Sequence, residues 1–128
     1  MSYVYPAVDG LDDHDLVGTH QCVALVQAFA HAPRTADWKQ GVSVRGKLLL
    51  AKGAAIATFE DGMYKSRPHG NHAALYVSQD QGGIWVMDQW ASSTKLEVSR
   101  HYLQFKGVAK DGSWMDASNN GDAFSVIE

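Results

Sequence analysis

Three side chains in this 128-residue chain have the types and the order needed for nucleophilic acyl chemistry. They are a thiol at Cys22, an imidazole at His72 and a carboxylate at Asp88. A thiolate attacks a carbonyl, a neighbouring imidazole accepts the thiol proton and returns it to the leaving group, and a third polar group orients the ring. Cys22 is the only cysteine and lies in "GTHQCVALVQAFAH", residues 18–31, where a polar lead-in becomes apolar. The first turn of a helix there would surround the sulfur with unpaired N–H groups and the positive end of the dipole. Both lower a thiol pKa, and the same N–H groups can hold an oxyanion. A lone cysteine in an apolar helix is equally well an inert core side chain. The residue types alone leave both readings open.

A thiol nucleophile needs a base, and six histidines compete. His14 and His20 fall in the lead-in. His31 stands at the far end of the helix, where a cation suits the dipole. His101 opens a late strand and reads as a surface or edge residue. His69 and His72 lie together in "RPHGNHAALYV", His69 in a Pro/Gly turn open to solvent and His72 at the start of a strand. Ala73 and Ala74 after it are small enough to admit a closely packed helix, so His72 is the better-placed base. The orienting group comes from the next strand, "GIWVMDQW", as Asp88 or Gln89. With Gln81 central in the connecting loop, position 74 pairs with 88, and Asp88 shares a face with His72. A loop of the other parity brings Gln89 to that face. A metal site from His69, His72 and Asp88 ranks lower, because no HExxH-type pattern is present and a lone cysteine argues against a thiolate zinc site. No metal or cofactor is implied.

The elements that must position these groups follow from periodicity. "QCVALVQAFAHA", 21–32, is apolar on nearly all sides and predicts a buried helix, with Thr19 as candidate N-cap and Pro33 as its stop. "TADWKQG" predicts a short helical turn, while "VSVRGKLLL" is ambiguous between strand and helix. Strands are expected at 54–59, 72–78, 83–90, 100–107 and 123–127, with "QDQGG" closing a hairpin. An early helix followed by an antiparallel sheet is an α+β arrangement, read as one domain spanning 1–128. An apolar fraction of 45% and a charged fraction of 20% are those of an ordinary globular protein. A net charge of −3 offers no basic footprint for nucleic acid. The N-terminal "MSYVYPAVDG" carries no signal-peptide pattern, and no apolar run approaches a membrane span. The chain is therefore expected to be made in the cytoplasm and not to insert in membranes.

The order Cys at a helix start, His at a strand start and a polar residue on the following strand resembles the compact bacterial papain-like fold of NlpC-like and CHAP peptidoglycan amidases. "HQCVALVQ" is similar to the CHAP pattern of Gly-Gln-Cys leading a helix, with His20 in place of Gly, and "NHAALYV" is similar to the His-led strand. "HQCVALVQAF", "KGAAIATFEDGMY", "GNHAALYVSQDQGGIWVMDQW" and "SNNGDAFSVIE" together resemble the small amidase effectors of type VI secretion, most of all the third described family and its relatives. The resemblance implies a Cys22–His72–Asp88 amidase acting on peptidoglycan stem peptides at the diaminopimelate–D-Ala crosslink. It further implies secretion into a target cell's periplasm and a cognate immunity protein that occludes the active site. Gln21 would assist the oxyanion, and Lys65 and Arg67 would meet stem carboxylates. Two alternatives accompany this reading. One is a housekeeping or phage cysteine hydrolase cutting the D-Glu–diaminopimelate bond, and the other is a non-catalytic binding module.

Overall fold

The computed structural model describes residues 2–128; Met1, the first residue of the expected lead-in, lies outside them. Six strands form: β1 (Gln40–Ser43), β2 (Ala55–Thr58), β3 (Ala73–Gln79), β4 (Gly83–Asp88), β5 (Ser99–Gln104) and β6 (Phe124–Ile127). All pairings are antiparallel, in the order β1-β6-β2-β3-β4-β5. Among the described residues one α-helix, α1 (Cys22–Ala30), precedes the sheet, and short 3-10 turns lie in the connections. This is the expected α+β architecture. The ambiguous "VSVRGKLLL" divides: its first residues end β1, and the rest is turn, leaving Leu48 and Leu49 exposed.

Side-chain alternation splits the sheet into two apolar faces. Ala55, Ala57, Ala73, Leu75 and Met87 turn to α1, where Leu25 and Val26 are fully buried. Emptying the Leu25 site by Leu25→Ala would cost roughly 2–5 kcal/mol. Ile56, Ala74, Tyr76, Val86 and Phe124 form the opposite face, covered by Leu50, Phe105 and Trp114 from the connections. Only Ala73 of the two expected alanines therefore serves the helix contact; Ala74 belongs to the other layer.

The helix is less enclosed than its composition suggests. Ala28 is exposed, while Tyr5, Leu16 and Val17 from the lead-in pack against the rest. Its N-cap is Gln21 rather than Thr19 and makes no side-chain capping bond. Thr19 instead accepts the Gln21 N–H at 3.5 Å. At the other end His31 takes the left-handed conformation (φ 60°) and closes the helix two residues before Pro33.

The hairpin β3–β4 sets the geometry of the site. Leu75 pairs with Met87 and Tyr76 with Val86, which continues to the expected pairing of 74 with 88. Nearer the tip, Ser78 pairs with Trp85 and Gln79 with Ile84, one residue out of that register. The extra residue is Val77, a β-bulge. The turn thus has the parity that would have brought Gln89 to the histidine face, and the bulge reverses it before the strands reach their other end.

Candidate active site

His72 immediately precedes β3, and its backbone is held to β2: its N–H donates to Thr58 Oγ1 at 3.0 Å, and its carbonyl accepts the Thr58 N–H at 3.0 Å. The imidazole is buried, and its Nε2 lies 2.9 Å from Asp88 Oδ2. Asp88 is wholly inaccessible. Since an ionised carboxylate only accepts, His72 must carry its proton on Nε2, which leaves Nδ1 to face the thiol. Phe124 and Trp90 approach the ring edge-on, with centroids 6.2 and 6.4 Å away. The ring has little freedom to turn.

Cys22 opens α1, and its thiol lies beside His72 at the head of β3, close enough for the imidazole to act on its ionisation. Burial alone would push its thiol up. The hydrogen bond and charge of His72, the Ala73 backbone N–H and the Tyr64 hydroxyl outweigh that, and the thiol is held below its ordinary value. Burial likewise works against a charged His72, but hydrogen bonds to Asp88 and Cys22 lift the imidazole to about 9. Asp88, penalised by its burial, is nonetheless held below the usual carboxylate range by the His101 and His72 hydrogen bonds. A depressed thiol beside an elevated imidazole favours a thiolate–imidazolium pair at neutral pH. That is the state in which a cysteine attacks a carbonyl.

Tyr64 and Asn71 were not singled out in the sequence, and Gln89 and His101 take contacts that it did not indicate. Tyr64 Oη stands 3.8 Å from Cys22 Sγ, and its own ionisation is pushed up by burial and by the nearby sulfur. Asn71 lies 3.0 Å from that hydroxyl. The partners favour the amide orientation in which Asn71 donates to the carbonyls of Arg67 (2.7 Å), His69 (3.1 Å) and Lys65 (3.2 Å) and accepts from Tyr64 O–H. The loop 65–69 is thus wrapped around one amide. Gln89, on the opposite face from Asp88, is fully buried. Its amide accepts from Val17 N–H at 3.0 Å and donates to Val17 O at 3.1 Å and Gln21 O at 2.8 Å, fastening the approach to α1. His101 stands on the edge strand β5, as expected, but its ring is half-buried and turns inward. Its Nδ1 lies 2.8 Å from Asp88 Oδ2.

Of the remaining expected contributors, Gln21 is exposed and borders the cleft over Cys22, and the Cys22 N–H, in the first turn, lies outside the intrahelical ladder. Arg67 also borders that cleft, but its guanidinium is engaged by Glu60 at 2.8 Å and the His69 carbonyl at 3.0 Å. Lys65 is not among the cleft-lining residues. His69 is exposed, and the described residues contain no group of three acidic, His or Cys side chains placed to hold a metal. His20, the residue standing where CHAP sequences have Gly, has φ 71°. The turn into α1 therefore requires the left-handed backbone that glycine adopts without strain.

The cleft over Cys22 has a volume of 520 Å³; a second, of 260 Å³, lies beyond His72 and is lined by His101, Ser118 and Asn119. Asn71, His72 and Trp90 border both. His72 thus has open volume on either side, and Cys22 on one. No helix among the described residues is long and apolar enough to cross a membrane.

Residues 8–127 match the family model described as domesticated amidase effector 2. The chain is 41% identical over its whole length, and the relative's, to a type VI secretion amidase effector 2 protein of Salmonella typhi. It is 32% identical to domesticated amidase effector 2 of Ixodes scapularis, over 88% of this chain and 73% of that one. A solved structure named type 6 secretion amidase effector 2 superimposes with a TM-score of 0.91 at 40% identity, covering 98% of this chain and 94% of the other. The numbered family in these matches is the second, where the sequence segments had been likened most to the third.

Proposed function

This chain belongs to the amidase effector 2 family, and on that premise we propose that it is a cysteine amidase of peptidoglycan, cutting diaminopimelate–D-Ala crosslinks. The observation that carries the mechanism is the buried His72–Asp88 contact at the head of β3, beside a thiol already biased toward its anion. Cys22 Sγ attacks the D-Ala carbonyl, and the Cys22 N–H and Gln21 side chain receive the developing oxyanion. His72 Nδ1–H protonates the departing amine as the C–N bond breaks, leaving a thioester. Water, deprotonated by the same nitrogen, then hydrolyses the thioester and restores the thiolate–imidazolium pair. Asp88 keeps the proton on Nε2 throughout and compensates the ring's positive charge.

Crosslinked stems are the favoured substrate because clefts open on both sides of His72 and Trp90. One can take the acyl stem and the other the amine-bearing stem. Arg67 at the rim would meet a stem carboxylate only in competition with Glu60. The whole chain serves as one catalytic domain, exported through type VI secretion to act in the periplasm of a target cell. A cognate immunity protein would neutralise it by occluding the cleft.

Purified Gram-negative sacculi, digested under reducing conditions and analysed by mass spectrometry, test the reading. Crosslinked dimers should become monomers with intact tetrapeptide stems. Stems shortened at the D-Glu–diaminopimelate bond, with dimers otherwise untouched, would reassign the bond. Digestion of neither by folded protein would remove the enzymatic reading.

A further inference from the structure

Asp88 is on the central member of three adjacent antiparallel strands, and a histidine stands diagonally across from it on each side. On β5, Val86 faces His101 and Asp88 faces Ser99, so His101 lies two residues along on the same face. His72 occupies the equivalent diagonal position at the head of β3. Both imidazoles converge on one oxygen, Oδ2, at 2.9 and 2.8 Å, while Oδ1 is buried with no hydrogen-bond partner among the described residues. An ionised carboxylate can satisfy both contacts only by accepting from two N–H groups. His101 therefore holds its proton on Nδ1, and its ring is braced against Trp90 with centroids 5.7 Å apart.

We infer that His101 is a positioning residue of the hydrolytic site: by donating Nδ1–H to Asp88 Oδ2 it fixes that oxygen toward His72 and takes up part of the carboxylate's charge. The inference rests on the hydrolytic reading above and adds to it a residue that touches neither sulfur nor substrate carbonyl. A carboxylate with one donor has a stronger pull on the remaining imidazole. The second donor thus restrains the basicity of His72, so that its proton stays transferable to a leaving amine. The titratable groups facing Asp88 are His72 and, behind it, Cys22 from α1 on one side, and His101 from β5 on the other. Lys95, from the connection into β5, lies over the Trp90 ring, and the Lys106–Asp116 pair sits on the outer surface that His101 also borders.

Two substitutions separate donation from mere packing. His101→Asn keeps an N–H donor at the position of Nδ1 without an imidazole, and His101→Leu keeps similar branching without a donor. In the full chain, His101→Leu should lower kcat on crosslinked dimers about tenfold with KM within about twofold, the pattern of a mispositioned base rather than lost binding. The His72 titration, followed by imidazole NMR, should move to higher pH, as should the alkaline limb of turnover. His101→Asn should restore both. The NMR titration needs no substrate, so it tests the inference even if sacculi prove resistant. A His101→Leu protein with wild-type kcat and an unmoved His72 titration would overturn the inference. An Asn variant as impaired as the Leu variant would overturn it too, by showing that donation is not the function of the ring.

Discussion

Replacing Asp88 by Asn removes one charge and almost no volume, so its consequence can be worked from the site itself. Burial opposes a charged His72, and the hydrogen bonds of Asp88 and Cys22 hold the imidazole at about 9 against an ordinary 6.5. Without the carboxylate, burial and a single sulfur partner remain, and the imidazole falls back toward 6.5. At about tenfold per pH unit, the thiolate–imidazolium pair loses a factor of about 10² to 10³ relative to the neutral pair. Cys22 keeps a share of the lift, so the expected loss in kcat/KM at neutral pH is about 10². Activity needs the thiol ionised and the imidazole protonated. Asp88→Asn therefore lowers the alkaline limb through His72, and it raises the acid limb because the thiolate loses its cation. Alkylation of Cys22 by iodoacetamide across pH reads the acid limb directly, and hydrolysis of crosslinked dimers reads both. The amide would also put an N–H₂ group where Oδ1 is now unpartnered or turn it toward two N–H donors, a further cost of about 1–3 kcal/mol in stability. A folded Asp88→Asn protein with its alkylation profile unmoved and turnover within about threefold of wild type would refute the argument.

Other outcomes follow from neighbouring contacts. Cys22→Ser should abolish hydrolysis while leaving the melting temperature close to wild type, because an alkoxide does not form where a thiolate does; near-normal turnover would end the thiol mechanism. Gln89→Leu should destabilise the fold by about 2–4 kcal/mol, measured by urea unfolding, since it strips partners from both backbone groups of Val17 and from the Gln21 carbonyl. A urea midpoint unchanged from wild type would show that these bonds do not fasten the approach to α1. His20→Gly should leave hydrolysis intact and raise stability by up to about 1 kcal/mol by relieving a left-handed non-glycine residue; a drop in melting temperature would show that the imidazole makes up for its backbone.

The sequence made the helix start, the hairpin and the three chemical groups legible because each has a local signature. A polar-to-apolar boundary marks Cys22, a Pro/Gly turn followed by a strand marks His72, and alternation marks Asp88. The expected pairing of 74 with 88 was reached by centring the loop on Gln81. The structure reaches it by a turn of the other parity corrected at Val77, and a bulge has no reliable local sign. Thr19 looked like an N-cap from its type alone, yet the turn through His20 puts Gln21 in that position. Tyr64, Asn71 and His101 were invisible for a different reason. Their roles exist only once β2, β3 and β5 bring separate segments to one edge. A histidine opening a strand looks like any edge residue until its neighbour is known to hold a buried acid.

The bulge at Val77 absorbs one residue on β3 alone, while β4 stays paired with β5 in a single register from Gly83 to Asp88. The strand segments that carry His72 and Asp88 keep their register by pairing Leu75 with Met87 and Tyr76 with Val86, whatever happens beyond them. The tip, from Ser78 through the Asp80–Gly82 turn to Trp85, has its own register and its own hydrogen bonds, with Asp80 Oδ1 accepting from the N–H groups of Gly82 and Gly83. Chain length can therefore vary at that tip without transmitting a one-residue slip to the edge that carries His72 and Asp88. The tip is thus an attachment point for a tag, a fluorophore or a grafted peptide, because the alignment of His72 and Asp88 is held from the outer sides, by β2 on β3 and β5 on β4.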